Sequence, residues 1–128
     1  MKKLITILSL FIVFTGHAQT INYSKTITQH LDKEGQLKSQ VTKFAPGQVK
    51  VDQQHLVIDD LDYTILKHEA VETADEGYFT QSLMVVCTTK TGAYKVYQCI
   101  LLLKPNKSLC EVIIKKSNST HVSYVIQD

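Results

Sequence analysis

The chain has 128 residues with 14 lysines, 12 acidic residues and no arginine, so its formal net charge is +2. This length is enough for one domain and too short for two. Arginine is the usual bidentate ligand of phosphate groups and guanine bases, so its absence argues against nucleic-acid recognition and against phosphoryl chemistry.

Residues 1–18 have the pattern of a secretory signal peptide. Two lysines follow the first methionine, residues 4–14 form an apolar run, and small residues precede a cleavage site before Gln19. The apolar run is about half of the roughly 20 residues that a membrane-spanning helix requires, which predicts no membrane anchor. We therefore expect a bacterial cell to remove this leader and to export residues 19–128, either into the periplasm or into the medium.

Removal of the leader makes the predicted mature chain neutral. Residues 19–128 contain twelve lysines and twelve acidic residues. The acidic side chains concentrate between 52 and 76, and most lysines of the second half follow residue 90. Two solvated faces of one domain explain this distribution, although opposed charged regions can also steer a partner.

Residues 19–128 are predicted to form a single all-β domain. Short runs that alternate apolar and polar residues are separated by turn signals, and no sustained helical periodicity is present. Strands are predicted at 21–31, 36–44, 48–52, 55–59, 62–72, 78–90, 93–104 and 108–117, with a last strand or edge at 120–126. The two short strands, 48–52 and 55–59, also fit a single bent strand, so the number of strands is eight or nine.

The turns between these strands are short and have recognisable chemistry. Pro46 and Gly47 give a type II turn, since proline fixes φ and glycine takes the left-handed position. Gly35 and Gly92 mark two further turns, and Pro105 begins another. Strands joined by short turns pair antiparallel with their neighbours. The sequence therefore predicts an antiparallel meander, closed as a small barrel or folded as a sandwich.

Three predicted hairpins place large apolar residues on one core face. A hairpin at Thr91-Gly92 places Met84 opposite Cys99 and Val86 opposite Tyr97. The hairpins that follow Ile58 and Leu103 add further pairs, which are Ile58 with Tyr63, Leu56 with Ile65, Leu103 with Cys110, Leu101 with Val112 and Cys99 with Ile114.

The same register leaves a second apolar face on these strands. It carries Leu83 and Val85 from one strand and Val96 and Ile100 from the next. A half-exposed meander usually shows cleaner alternation of apolar and polar residues. This second face is therefore covered inside the monomer, or it contacts a partner, and the four residues are the predicted partner-binding site.

The cysteines are predicted to be thiols without a catalytic role. There are three, Cys87, Cys99 and Cys110, so an intramolecular disulfide would leave one over. Cys99 and Cys110 lie about 13 Å apart in the predicted register, beyond the roughly 7 Å between Cα atoms that a disulfide allows. All three have apolar neighbours, which suits small buried residues better than nucleophiles.

No motif of the sequence indicates a catalytic or metal site. The four histidines of residues 19–128 lack the spacing of a zinc site, and the acidic residues at 59–62 lack the pattern of a calcium loop. We expect no enzyme activity, no cofactor and no metal ion.

Two functions remain open. The first is a non-enzymatic binding module that engages a protein or cell-surface partner, or a second copy of itself, through the second apolar face or through an exposed strand edge. The second is a carrier of one small apolar ligand, since an eight-stranded barrel can hold one. In this second form the meander is similar to small calycin-type barrels, although the tryptophan-bearing strand of lipocalins is missing because the chain has no tryptophan.

Overall fold

The computed structural model describes residues 19–88, 91–106 and 108–126, and the predicted leader lies outside them. The described residues form nine strands, which are β1 (Gln19–Leu31), β2 (Leu37–Lys43), β3 (Gly47–Val51), β4 (His55–Ile58), β5 (Leu61–Thr73), β6 (Phe79–Thr88), β7 (Tyr94–Leu103), β8 (Leu109–Lys115) and β9 (Thr120–Ile126). A single 3-10 turn, Asp75–Gly77, connects β5 to β6.

Eight of these strands close into an antiparallel barrel. The order is β1-β3-β4-β5-β6-β7-β8-β9, and β9 pairs back onto β1 over Tyr23–His30. The predicted all-β meander of about eight strands is therefore confirmed, and of its two forms the structure adopts the barrel. Closure removes the strand edges that an open sheet of this size would expose.

The ninth strand, β2, lies outside the barrel. The first part of β1, residues 19–23, pairs with β3, and the later part, residues 26–31, pairs with β2 along the same edge. The chain that returns from the first turn is thus divided at Pro46, because proline cannot donate to a ladder and its fixed φ interrupts the strand. The two short strands predicted at 48–52 and 55–59 are β3 and β4, which form a hairpin with Val51 opposite Leu56, and the alternative of one bent strand is wrong.

Large side chains fill the barrel interior. Strands β1 and β3 to β8 all contribute buried apolar residues. The largest that are fully buried are Tyr63, Leu56, Leu83, Leu101, Leu103 and Ile114. An eight-stranded barrel is just wide enough to hold side chains of this size, so packing of these residues against each other is what stabilises the fold.

The predicted register of the β6–β7 hairpin is wrong by one residue. Leu83, and not Met84, pairs with Cys99, because a five-residue connection joins Thr88 to Tyr94 in place of the predicted two-residue turn. A one-residue slip moves every side chain of a strand to the other face.

In two other predicted hairpins the side chains expected in the core do face the barrel interior. Leu101 pairs with Val112 as expected, whereas a bulge places Leu103 opposite Leu109 in place of Cys110. Leu56 pairs with Tyr63 because the turn contains only two residues, which shifts that register by two and leaves the same side chains inside.

The three cysteines are thiols, as predicted. Cys87 and Cys99 are buried, Cys110 is half-buried, and none of them forms a disulfide. Burial raises the pKa of the Cys99 thiol far above its ordinary value, so this side chain stays protonated and unreactive.

Candidate functional site

The four predicted site residues lie on two different surfaces. Leu83 and Val85 point into the barrel and are buried, so their side chains are not part of an exposed face. Val96 lies on the outer face with 57% of its surface exposed, and Ile100 lies on the same face, partly covered. The expectation of one apolar face made by these four residues is therefore wrong, and its cause is the register shift of the β6–β7 hairpin.

Val96 belongs to an apolar surface, which we call the outer patch, formed by Leu66, Met84, Tyr94 and Val96. These residues come from β5, β6 and β7, and all four are exposed. Leu66 lies at a bulge of β5, between the pairs Ile65–Val85 and Lys67–Met84. A shallow depression of about 230 Å³ next to the patch is lined by Glu69, Leu83, Met84, Val96, Tyr97 and Gln98.

A second exposed surface is the side of β2 that no described strand pairs with, which we call the β2 edge. β2 pairs with β1 alone among the described residues, and all seven of its residues are exposed. Such an edge carries backbone N–H and C=O groups that another strand can bind.

Apolar side chains flank the β2 edge. Leu37 and Val41 are 56% and 59% exposed. A bulge at Lys38 puts them on opposite faces of the strand, since Leu37 pairs with Leu31 whereas Val41 pairs with Thr28. Phe44 follows the strand and is 78% exposed, with the Lys25 Nζ atom 5.9 Å from its ring centre. Proteins usually place charged side chains on an exposed edge to prevent pairing with another chain, and Lys38 and Lys43 are such charges. Exposed apolar side chains such as leucine and valine have the opposite effect, because they favour contact with another strand.

A polar contact at the start of β3 fixes the place where the chain leaves the barrel. The Tyr23 hydroxyl donates to Asp59 Oδ2 at 2.7 Å, and the Gln48 amide donates to Asp59 Oδ1 at 3.1 Å. The Asp59 amide in turn donates to the Gln48 carbonyl oxygen at 2.8 Å. Burial and the Asp59 carboxylate together raise the pKa of Tyr23 to about 12. We call this set of bonds the Tyr23–Asp59 latch.

A second polar contact involves the buried Tyr63. Lys116 Nζ donates to the Tyr63 hydroxyl at 2.8 Å and lies 5.4 Å from the centre of the Tyr63 ring. These two distances place the ammonium group beyond the hydroxyl and not over the face of the ring. The ring of Tyr97 packs edge-on against Tyr63 at 6.2 Å. Burial raises the pKa of Tyr63 to about 12, so its hydroxyl is protonated at neutral pH and acts as a structural group.

The carboxylates at 59–62 are divided between separate partners. Asp59 belongs to the latch, whereas Asp62 contacts His55, with 3.0 Å between Oδ1 and Nδ1. In the ranges 19–88, 91–106 and 108–126, no group of three or more histidine, cysteine or acidic side chains is placed to hold a metal ion. None of the helical segments in these ranges is long and apolar enough to cross a membrane.

The fold and these surfaces define a small closed β-barrel domain that carries one additional, exposed edge strand. Comparisons of the chain with protein-family models, with curated proteins and with solved structures found no match.

Sequence reasoning missed the residues of the β2 edge. The strand itself was predicted at 36–44, but its position outside the barrel was not. One signal was present, since Leu37, Val41 and Phe44 are the only large apolar residues of this segment and they lack a regular alternation. A strand with so little apolar surface cannot line a barrel interior.

Proposed function

We propose that the chain is an exported, non-enzymatic binding module, and that the β2 edge takes up an extended strand of a partner protein. The observation that carries this proposal is that all seven residues of β2 are exposed and one side of the strand is unpaired among the described residues, whereas the other described strands are closed into a barrel. Adding a strand to such an edge forms main-chain hydrogen bonds, and pockets for alternate side chains provide specificity. The proposal that the chain is exported rests on the leader pattern of residues 1–18 alone.

The side chains of β2 support strand addition in a specific way. Leu37 and Val41 lie on opposite faces of β2, on either side of a bulge at Lys38, so an added strand would meet one apolar contact on each face. The backbone of β2 is held on its other side by β1 over Thr26–Leu31, so the edge is ordered before a partner arrives. A pre-ordered edge lowers the entropic cost of binding.

A random-peptide display selection against the immobilised protein at low density tests this function. We expect the wild-type protein to enrich apolar peptides with a high propensity for strands, and Val41→Lys to weaken their binding at least about tenfold. Val96→Lys is the matched control, because Val96 and Val41 are almost equally exposed, at 57% and 59%. Enrichment that survives Val41→Lys, or no enrichment at all, would count against the β2 edge as the binding site.

One observation favours the second function, a small-ligand carrier. Gln81 is buried in the barrel interior, with 1% of its surface exposed, and its amide nitrogen has no hydrogen-bond acceptor among the described residues. A buried donor of this kind could bind an acceptor atom of a ligand. The large side chains around it leave little room, so the binding module remains the first proposal.

Gln81→Met separates the two functions. We expect this variant to be more stable by about 1–3 kcal/mol in urea denaturation, because methionine has a similar volume and removes the unpaired buried donor. Native mass spectrometry of the gently purified wild-type protein then tests the carrier. A retained ligand that disappears in Gln81→Met would support a carrier, and the mass of the polypeptide alone would argue against it.

A further inference from the structure

We infer that the strand which binds to the β2 edge is acidic, and that it places a carboxylate opposite Lys43 and an apolar side chain opposite Val41. This inference rests on the proposed function, since it gives the chemistry of the partner that the edge takes up. It is carried by the regular pairing of residues 39–43 with β1, by the charges around β2 and by the exposure of Val41 and Phe44.

Residues 39–43 are the regular part of β2. They pair one by one with residues 26–30 of β1, and the bulge at Lys38 lies before them. Successive side chains of such a strand point to opposite faces, so Val41 and Lys43 share one face. An added strand would therefore meet an apolar side chain and a cation two residues apart on that face.

The Lys43 ammonium group has no acidic neighbour across the sheet. The residue beside it on β1 is Thr26, and the next one, on β9, is Tyr124. No carboxylate of the described residues forms an ion pair with Lys43. β2 itself carries two lysines and no acidic residue. A strand laid beside Lys43 would remove water from its ammonium group, which costs free energy unless the strand supplies an opposite charge.

The two ends of β2 differ in charge. Near the start of the strand a depression is lined by equal numbers of lysines and acidic residues, which are Lys33, Lys38, Asp32 and Glu34. Positive and negative charges therefore balance at this end. Lys43, at the other end, has no acidic counterpart of this kind, so the C-terminal end of β2 is where a carboxylate of the partner is needed.

Lys25 and Phe44 add to the C-terminal end of β2. The Lys25 Nζ atom lies 5.9 Å from the Phe44 ring centre, and Phe44 is 78% exposed. The charge of Lys25 is partly balanced by Glu111 of β8, since burial raises the pKa of Glu111 and the Lys25 ammonium partly offsets this rise. Phe44 offers further apolar surface to an added strand. The partner is therefore expected to combine carboxylates with apolar side chains.

The distribution of charge along the chain has the same polarity on a larger scale. Residues 19–51, which form β1 to β3, contain five lysines and two acidic residues, whereas residues 52–76 contain one lysine and eight acidic residues. An acidic partner is attracted to the part of the molecule that carries β2, and a basic partner is repelled from it.

Antiparallel addition fixes the order of the two residues in the partner. β2 already pairs antiparallel with β1, and antiparallel pairing is slightly more stable per residue than parallel pairing. In this orientation the partner residue opposite Lys43 comes two positions before the residue opposite Val41. The partner therefore carries, in chain order, an acidic residue, any residue and an apolar residue.

Fluorescence anisotropy of labelled synthetic peptides tests this chemistry. Three short peptides share flanks of threonine and serine and differ only in a central triplet, which is Glu-Thr-Val, Lys-Thr-Val or Val-Thr-Glu. We expect the protein to bind the Glu-Thr-Val peptide at least about tenfold more tightly than the Lys-Thr-Val peptide, because opposite charges attract directly across a ladder and like charges repel. High salt should reduce this difference. Equal binding of these two peptides, or no binding of either, would overturn the acidic partner, and tighter binding of Val-Thr-Glu than of Glu-Thr-Val would overturn the antiparallel order.

Charge reversal tests the contact at Lys43. Lys43→Glu should reverse the preference, so that the Lys-Thr-Val peptide binds more tightly than the Glu-Thr-Val peptide. Lys50→Glu is the matched control, because it changes the net charge equally, and Lys50 is exposed on β3, which pairs with a strand on each side. This control should leave the preference unchanged. An equal change of preference in both variants would indicate long-range attraction alone and would overturn the contact at Lys43.

The display selection described above separates the chemistry of the partner from the binding function. Peptides that are enriched through Val41 but carry no acidic residue two positions before the apolar one would leave the binding function standing and show that the acidic partner is wrong. No enrichment of any peptide would count against the binding function and against the acidic partner together.

Discussion

Raising the pH from 10 to 12 is expected to remove much of the stability of this protein. Burial raises the pKa of both Tyr23 and Tyr63 to about 12, whereas in the unfolded chain a tyrosine titrates near 10. Above pH 10 the unfolded chain releases these protons and the folded protein keeps them, so deprotonation favours unfolding. The stabilisation is fully present below pH 10 and is lost as the pH rises to about 12.

The expected effect is about 2–3 kcal/mol for Tyr63, because one unit of pKa corresponds to about 1.4 kcal/mol. It is smaller, about 1–2 kcal/mol, for Tyr23, because solvent screens its interaction with the exposed Asp59. Domains of this size have a total stability of about 5–15 kcal/mol, so the loss is a large fraction of the whole. Urea denaturation at a series of pH values measures it, and tyrosinate absorbance reports the ionisation directly.

Three phenylalanine variants assign the loss of stability at alkaline pH to individual tyrosines. Tyr23→Phe and Tyr63→Phe should each remove part of the pH dependence, and the raised pKa of the partly buried Tyr124 contributes a further part. Tyr94→Phe should leave it unchanged, because Tyr94 is exposed on the outer patch. The prediction fails if Tyr94→Phe changes the alkaline slope as much as the two buried variants do.

The sequence predicted the strands well because each boundary depends on local chemistry. Glycine and proline mark the strand boundaries near Gly35, Pro46, Gly92 and Pro105, and the observed strands end close to each of them. The predicted type II turn at Pro46-Gly47 is wrong, because Gly47 has no positive φ and begins β3. The β7–β8 pairing of Leu101 with Val112 was also predicted, because alternation and turn position agreed there. Barrel closure was only one of two alternatives, since it depends on the contact between β1 and β9, which are about a hundred residues apart.

The predicted binding face was wrong because the pattern of apolar residues in β6 and β7 does not determine how many residues connect the two strands. Both faces of β6 are apolar, with Leu83 and Val85 on one and Met84 and Val86 on the other. Either register therefore buries a reasonable core, and the five-residue connection to Tyr94 decides between them. Val96 was placed correctly on the second face, but two of its predicted neighbours were not.

The position of the β2 edge depends on long-range contacts that the sequence does not display. Asp59 follows Ile58 in the turn of the predicted hairpin, and its φ is 55°. Its side chain, however, also bonds to Tyr23, 36 positions earlier in the chain. That bond fixes the start of β3 inside the barrel and so leaves the preceding strand outside, where its edge is exposed.

Gly47 is the residue on which this arrangement depends most directly, and Gly47→Ala is expected to destabilise the protein by about 2–4 kcal/mol. A Cβ atom at this position would overlap the Tyr23 hydroxyl and Asp59 Oδ1. Tyr23 is buried and hydrogen-bonded, so it cannot move away without breaking the latch. A hydrogen bond to a charged group contributes about 1.5–3 kcal/mol, and overpacking adds a further cost.

Gly35→Ala is the matched control for this substitution. Gly35 has a φ of 80°, so alanine there carries the strain of a left-handed backbone, about 1 kcal/mol, but its Cβ would meet no atom within 4 Å. Gly47 has no positive φ, so the destabilisation expected for Gly47→Ala is steric alone. Denaturant unfolding of the two variants measures the difference. Gly47→Ala should also lower the pKa of Tyr23 from about 12 towards its ordinary value, because it separates the hydroxyl from Asp59. An equal loss of stability in both variants, with the pKa of Tyr23 unchanged, would contradict this prediction. It would show that the Tyr23–Asp59 latch accommodates the added methyl group and does not determine where β2 leaves the barrel.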